Sequence, residues 1–338
     1  LIVIILIIAI IIGLLVFLLY KNYKEKYTID NQNIPDKIDI VYTWVEATPE
    51  FNKEKEYWYK KNKNYEKPSD IRYKDHEELK YSLRSIEMYF PYYNNIYLVV
   101  KDDQYPKYLN RQNSKLHVIK HSDIIPKEYL PTFNSRAIEA YLHHIPNLTE
   151  YYIYCNDDVM FLKETKPSYF IDERGIPYTI STNSKIPREP NSNLILNSNS
   201  FRCGLSFNSN ILDKITKEEN RYEISHSPMM YRKSYDYEIE KFFKKYYNDN
   251  DNDNVFDKTG MSRFRRCDDL YLVSVIKPYL YKNWFDSKTK LSESTFVTDF
   301  NLNNKVNSRF LNMEHVNNEN EYIEFMNKKY KKKSSFEI

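Results

Sequence analysis

The chain has 338 residues, with 50 Lys and Arg against 47 Asp and Glu and a formal net charge of +3. That balance leaves no nucleic-acid footprint, and three cysteines are too few for a disulfide framework, with a spacing that fits no zinc site, although one pair can be bridged. Only 4 glycines occur, against an average near 7%, so Gly-rich phosphate loops of the GxGxxG or Walker kind cannot be built. A bound diphosphate would have to be held by a metal, by Arg or Lys side chains and by helix N-termini.

Residues Leu1 to Tyr20 are uncharged and almost all Leu, Ile and Val, long enough as a helix to span a bilayer core of roughly 30 Å. No small-residue cleavage site follows, so they read as an uncleaved single-pass anchor, with an upstream piece expected before Leu1. Lys21, Lys24 and Lys26 favour a cytoplasmic body. The sequon Asn147-Leu148-Thr149 is usable only in a lumenal one, and the side stays open. Residues 21–36 are polar and read as a stalk.

Ile38 to Val45 is a β-branched run, the expected first strand. Glu50 to Asn64 reads as a surface helix. Asp75-His76-Glu77-Glu78 reads as a capping box, opening a helix with Leu79, Leu83, Ile86 and Phe90 at helical spacing that stops at Pro91. Ile96 to Val100 and Leu116 to Ile119 are further strands, with a short turn or helix at Pro106 to Asn110 between them. Asn134 or Ser135 caps a helix expected to run to His144. Tyr151 to Tyr154 is a buried strand, and Asn156-Asp157-Asp158 stands at its end. The alternation over residues 38–160 predicts an α/β fold, a mainly parallel sheet of Rossmann-like, GT-A-like type with helices on both faces.

Beyond residue 165 the pattern weakens. Residues 183–202 are rich in Asn, Ser and Pro and read as a mobile loop over the site. Asn248 to Asn254 alternates Asn and Asp, a solvated insert with no EF-hand spacing. Helices are expected at Tyr231 to Tyr247, Asp268 to Lys277 and Glu319 to Lys329. The basic tail Lys328, Lys329, Lys331, Lys332 and Lys333 reads as solvated.

Ligands of open α/β sheets bind outside the carboxyl ends of the strands, and Mg²⁺ usually takes one or two carboxylates together with phosphate oxygens. Asp157 and Asp158 are therefore candidate ligands of Mg²⁺ or Mn²⁺ on a substrate diphosphate, although strand-end Asp pairs also serve as turn formers.

Four separated segments resemble the Stealth family of hexose-1-phosphate transferases, which includes bacterial capsule polymerases and the alpha/beta subunit of the lysosomal-enzyme N-acetylglucosamine-1-phosphotransferase. The first is Ile38-Asp39-Ile40-Val41-Tyr42-Thr43-Trp44-Val45. The second runs through Glu77-Glu78-Leu79-Lys80-Tyr81-Ser82-Leu83-Arg84-Ser85-Ile86-Glu87 and Leu130-Pro131-Thr132-Phe133-Asn134-Ser135-Arg136-Ala137-Ile138-Glu139 to Asn156-Asp157-Asp158-Val159-Met160-Phe161. The third combines Ser225-His226-Ser227-Pro228-Met229-Met230 with Ser262-Arg263-Phe264-Arg265-Arg266-Cys267-Asp268-Asp269, and Phe310-Leu311-Asn312 suggests the fourth. The resemblance spans about 38–315. It divides the chain into an anchor (1–20), a stalk (21–36), a catalytic domain (37–315, with its insert near 248–254) and a C-terminal helix and tail (316–338).

The resemblance implies transfer of a sugar 1-phosphate from a UDP-sugar to a hydroxyl of a glycan acceptor, releasing UMP. Such a transfer needs positioning and charge neutralisation more than covalent chemistry. Asp157 and Asp158 would hold the metal, with Asp269 or Asp268 completing its coordination. Arg265 or Arg266 would neutralise phosphate charge. His226 is the candidate general base, or else a surface or capping histidine. Trp44, after Thr43, stacks on the donor or belongs to the core. Arg84 contacts the donor or makes a structural ion pair. Asn134, Ser135 and Arg136 bind donor phosphate or serve as a cap.

The chain departs from the family at Glu46-Ala47, where Asp or Asn followed by Gly is usual, at Met229, where some relatives have His, and at Met313, where an acidic residue is common. Two other readings remain: a GT-A-like glycosyltransferase releasing UDP, and a catalytically silent membrane-tethered glycan-binding protein.

Overall fold

A computed structural model describes residues 35–338 apart from 63–65, 67–68, 103, 197, 199, 247–253, 298–306, 314–315 and 317. The expected anchor, nearly all of the stalk and all of the Asn/Asp insert but Asn254 lie outside the described residues. Among the described residues no helix is long and apolar enough to cross a membrane.

The fold is mixed α/β. In chain order the helices are α1 (Pro49–Lys61), α2 (Glu78–Tyr89), α3 (His121–Ile124), α4 (Ser135–Glu139), α5 (Phe201–Ile215), α6 (Lys233–Tyr246), α7 (Val255–Met261), α8 (Lys277–Phe285) and α9 (Glu319–Lys329). The strands are β1 (Ile38–Trp44), β2 (Tyr93–Val100), β3 (Leu116–Lys120), β4 (Tyr151–Asn156), β5 (Val159–Phe161), β6 (Thr179–Lys185), β7 (Tyr222–Ile224), β8 (Met229–Arg232), β9 (Thr289–Leu291), β10 (Ser294–Val297) and β11 (Phe310–Met313). A five-stranded sheet has the order β3-β2-β1-β4-β8. Its first four strands are parallel and β8 is antiparallel to β4. Two further three-stranded sheets have the orders β10-β11-β5 and β7-β6-β9.

The central strands are buried nearly throughout, as a parallel sheet covered by other layers requires. Ile40, Val41, Ile96, Val99, Tyr152 and Ile153 are all sealed from solvent. Topology then sets the site. Thr43 pairs with Asn156 at the last rung between β1 and β4, so both strands end together and the acidic turn follows at that edge. The antiparallel β8 starts opposite Tyr154, with Met229 as its partner. The residues just before it therefore pass beyond the end of β4, which delivers His226 to Asn156.

α2 buries Leu79, Leu83 and Ile86 as its spacing predicts, but its start differs from the expected capping box. Glu77, at φ 64°, is the cap position and Glu78 the first helical residue, with no side-chain cap. The Glu78 carboxylate instead accepts the His76 N–H at 2.6 Å. α4 ends at Glu139, short of the expected His144, and the chain continues as a 3₁₀ turn over Leu142–His144. Pro146 drives Ile145 to an extended ψ of 124°, so the helix cannot run through it. The expected helix over 231–247 begins as β8 before α6, and that over 268–277 is a π-turn (Leu272–Ile276) leading into α8. Segment 183–202 opens as the end of β6 and closes as the start of α5, with the Leu196 carbonyl accepting the Cys267 N–H at 3.0 Å.

The C-terminal segment is tied to the body through Arg84. Its Nε and Nη2 donate to the two Glu337 oxygens at 2.7 and 2.6 Å, and Nη1 donates to the Tyr330 carbonyl at 3.0 Å. The two side chains are 5% and 2% exposed. Removing one partner of a buried pair strands the other charge, at a cost of about 3–5 kcal/mol. Arg84→Ala is expected to lower unfolding stability by about that amount, read from the denaturant midpoint at unchanged slope; a loss below about 1 kcal/mol would match an exposed pair instead.

Candidate active site

The acidic turn is pinned from behind. β5, which follows Asp158, is hydrogen-bonded to α2 through two buried serines: Ser82 Oγ donates to the Val159 carbonyl at 2.5 Å, and the Phe161 N–H donates to Ser85 Oγ at 2.9 Å. Tyr42 of β1 shares Ser82 Oγ at 2.6 Å. From the other side the Met313 N–H donates to the Asp158 carbonyl at 3.2 Å, and the fully buried Asn312 sends Nδ2 to Asp158 Oδ1 at 3.3 Å. Backbone and carboxylate of Asp158 are both fixed by β11.

His226 reaches this turn as topology dictates. Its Nε2 lies 2.6 Å from Asn156 Nδ2 and 3.8 Å from Asp158 Oδ1, and the ring is half exposed. Arg265 approaches from a second side, its Nη2 donating to Ser135 Oγ at 2.7 Å. Glu139 joins the two groups: its carboxylate is raised by burial and lowered in turn by Arg265, Arg136, His226 and Lys277, and Tyr154 Oη lies 3.5 Å from it and 3.0 Å from Thr43 Oγ1. Thr43, Ser135, Asn156, Asp158, His226 and Arg265 thus surround one place at the carboxyl ends of β1 and β4.

The charges separate across that place. On the α2 side, Asp157 is raised well above the carboxylate range by burial, then by Asp158 and Asp75. Glu78 is pushed up to about 9 by burial and by Asp157. Asp75, beside Glu78 and the buried Trp44 indole, is raised by burial too. On the α4 side stand Arg265 and Arg136.

Five residues expected to touch the donor have other work in this structure, and so does one expected metal ligand. Arg84 holds Glu337. Asn134, fully buried, caps α4 by accepting the Arg136 N–H at 3.1 Å, while its amide donates to the Ser262 carbonyl and to Asp269 Oδ2 at 3.1 and 2.9 Å. Arg136, 5% exposed, donates to the Arg266 carbonyl at 2.6 Å and stacks 3.6 Å over the Tyr271 ring. That ring in turn presses on α5, where a Cβ at Gly204 would meet it at 2.0 Å. Arg266 forms a two-point bond with Asp268 at 2.6 and 2.7 Å. Asp269 accepts from Asn134 and from the Arg266 N–H at 2.7 Å, and its value is pushed up to about 6 by burial against the pull of Arg136. The structure places Asp269 in this clasp, not beside Asp157 and Asp158. Trp44 is 4% exposed, a core residue under the acidic side.

The clasp joins segment 130–136 to segment 262–269. Phe133 and Phe264 stack at 5.3 Å, the Phe133 N–H donates to the Arg263 carbonyl at 2.8 Å, and a Cys203–Cys267 disulfide ties the second segment to α5.

Residues 72–179 match the model of Stealth protein CR2, conserved region 2. The chain thus carries a conserved region of the Stealth family. It is 39% identical over 160 residues to the capsular polysaccharide phosphotransferase fcs1 of Haemophilus influenzae, covering 46% of this chain and 44% of that one. It is 42% identical over 158 residues to the exopolysaccharide phosphotransferase SCO2594 of Streptomyces coelicolor, covering 46% and 26%. The chain spans less than half the length of these curated relatives. A likeness to the solved galactosyltransferase LgtC, 10% identical over 82% of this chain and 87% of that one, has a TM-score of 0.37, too slight to carry an argument.

The matched region 72–179 holds the acidic turn, Ser135 and α2, while His226 and Arg265 lie outside it. Reading the sequence missed Glu139, although Ser135 and Glu139 are four apart and so share a helix face. It also missed Asp75 and Glu78 as site carboxylates, because their spacing imitates a cap. Glu78 carries a pH consequence. Its folded value is raised from an ordinary 4.5 to about 9, so between those limits the folded chain holds a proton that the unfolded chain has lost, and stability falls as pH rises through that window. In a metal-free sample Glu78→Gln is expected to flatten the fall in urea midpoint between about pH 5 and about pH 8; an unchanged pH slope would mean that Glu78 is ionised in the folded state.

Proposed function

We propose that this chain transfers a sugar 1-phosphate from a UDP-sugar, a UDP-hexose or UDP-N-acetylhexosamine, to a hydroxyl of a glycan acceptor, on a GT-A-like scaffold and with Mg²⁺ or Mn²⁺. The observation that carries the reading is the meeting of His226, Asn156 and Asp158 at the end of β4, opposite Arg265. The relatives named as capsular and exopolysaccharide phosphotransferases support the reaction class.

The residues fit a hard divalent cation. Asp157 and Asp158 offer carboxylate oxygens, and Asn312 Oδ1, buried beside Asp158, has no hydrogen-bond partner in the protein. When bound, the cation offsets charge on the diphosphate. Arg265, half buried and positioned by Ser135, contacts two phosphate oxygens at once. The acceptor hydroxyl approaches His226, displaces the Asn156 amide from Nε2 and gives its proton to that nitrogen. Its oxygen bonds to the β-phosphorus as the bond from that phosphorus to the oxygen shared with the α-phosphate breaks. UMP leaves with that oxygen, and the bond from the sugar's anomeric carbon to its phosphate oxygen survives.

The body faces an oxidising compartment and is held to the membrane by residues 1–20. The Cys203–Cys267 bridge supports this, since structural disulfides persist outside reducing compartments, and so does Asn147, which sits exposed at φ 60° in its sequon. Denatured, unreduced protein should offer one alkylatable thiol, Cys155; three would remove the bridge and this support for the location.

Turnover should yield UMP only with donor, acceptor and metal together. His226→Ala and Asp158→Asn are each expected to lower kcat by roughly a hundredfold or more with folding intact, whereas Asp269→Asn should chiefly lower thermal stability. Near-normal turnover in Asp158→Asn would refute the metal assignment, and UDP in place of UMP would make the chain a glycosyltransferase.

A further inference from the structure

A second cluster of ligating side chains lies apart from the acidic turn and has no part in the mechanism above. His143 and His144 end the 3₁₀ turn that precedes β4, and Glu240 lies in α6, which follows β8. His143 Nε2 is 2.5 Å and His144 Nε2 2.7 Å from the same oxygen, Oε2 of Glu240. Adjacent residues on a 3₁₀ turn point in different directions, since about three residues make a full turn. Two consecutive rings converging on one atom therefore form a built arrangement. Their centroids are 4.5 Å apart, and Tyr237, one turn before Glu240, packs edge-on against both at 4.7 and 5.3 Å.

From this geometry we infer that His143, His144 and Glu240 form a binding site for a transition-metal ion of the Zn²⁺ class. Two imidazole nitrogens and one carboxylate oxygen, within 4.8 Å of one another, are a donor set that zinc takes with a fourth position left open. Imidazole ligands favour zinc, copper or nickel over the Mg²⁺ expected at the all-oxygen turn. His143 is 1% exposed, so its ring is held in the packed interior beside Glu240. Its Nε2 donates to Glu240, and its Nδ1, buried with no hydrogen-bond partner in the protein, is the nitrogen that carries the proton once Nε2 turns to the ion.

The rest of the surroundings agree. The second Glu240 oxygen already holds Lys244 at 2.7 Å, which orients the carboxylate and leaves Oε2 for the ion. Lys244 also faces Asp257 at 3.8 Å, which offsets its charge when the cation enters. His144, a third exposed, gives the ion a path from solvent and leaves room for a water or another ligand at the open position. The ion would bridge the chain entering β4 to the helix leaving β8, the two strands that deliver the acidic turn and His226.

The test is Co²⁺ and Zn²⁺ binding to the full chain. Co²⁺ is expected to give the visible absorption of a four-coordinate site with nitrogen ligands, abolished by an equivalent of Zn²⁺, and Zn²⁺ to raise the melting temperature. His144→Ala, at a partly exposed position, and Glu240→Gln should each weaken Zn²⁺ binding by more than about a hundredfold, since even outer-shell changes cost about ten- to a hundredfold. The Asp157→Asn/Asp158→Asn double variant should keep the Co²⁺ spectrum, which separates this site from the proposed transferase chemistry. No such spectrum, or one unchanged by His144→Ala and Glu240→Gln, would overturn the assignment and leave the trio as a hydrogen-bonded clamp.

Discussion

The site depends on the anchoring of one short backbone stretch, residues 156–161. A carboxylate pair at a strand end is ordinarily part of a loose turn. Here the strand that follows is stitched to α2 through Ser82 and Ser85, and the Asp158 carbonyl is taken by β11. The two serine bonds are buried, so breaking either strands a desolvated polar group rather than exchanging it for water. The turn therefore holds Asp157 beside Asp158 although burial and Asp158 both disfavour its ionisation. Ser82 and Ser85 are three apart on α2, and this spacing puts both hydroxyls on the face that meets β5.

Much of the remaining polarity is arranged to leave a few groups available. Asn134, Arg136, Arg266 and Asp269 bond chiefly within the clasp, and Arg84 bonds to Glu337. What this leaves at the carboxyl edge is Arg265 on one side, Asp157 and Asp158 on the other, and a half-exposed His226 between. The clasp is more than scaffolding, because the segment it binds carries Arg265. Asn134 bonds to both sides of it, and the Cys203–Cys267 bridge fixes the far end to α5. Such a division suits phosphoryl transfer, where catalysis consists mostly of positioned charge.

The strands were legible because burial on both faces demands β-branched and aromatic runs, and β1, β2 and β4 have them. α2 was legible from Leu79, Leu83 and Ile86. Its start was not, because Asp75 and Glu78 have the spacing of a cap while Glu78 itself lies among the site carboxylates. The acidic turn could be picked out from residue type and place, whereas His226 and the pair Arg265 or Arg266 came only through the family resemblance. The roles of Arg84, Asn134, Arg136 and Asp269 could not be picked out. Their partners stand far off in sequence, with Glu337 253 residues from Arg84 and Asp269 135 from Asn134. A charged residue in a motif reads the same whether it meets substrate or a distant carboxylate, and only the fold separates the two.

The account rests on which bond of the donor breaks. The most direct measurement uses a UDP-sugar carrying ¹⁸O in the bridge between the anomeric carbon and the β-phosphorus, with the product analysed by mass spectrometry and ³¹P NMR. Sugar-phosphate transfer predicts that the label stays with the glycan, next to a new phosphodiester resonance. Label recovered in released UDP, with no phosphorus in the glycan, would contradict it.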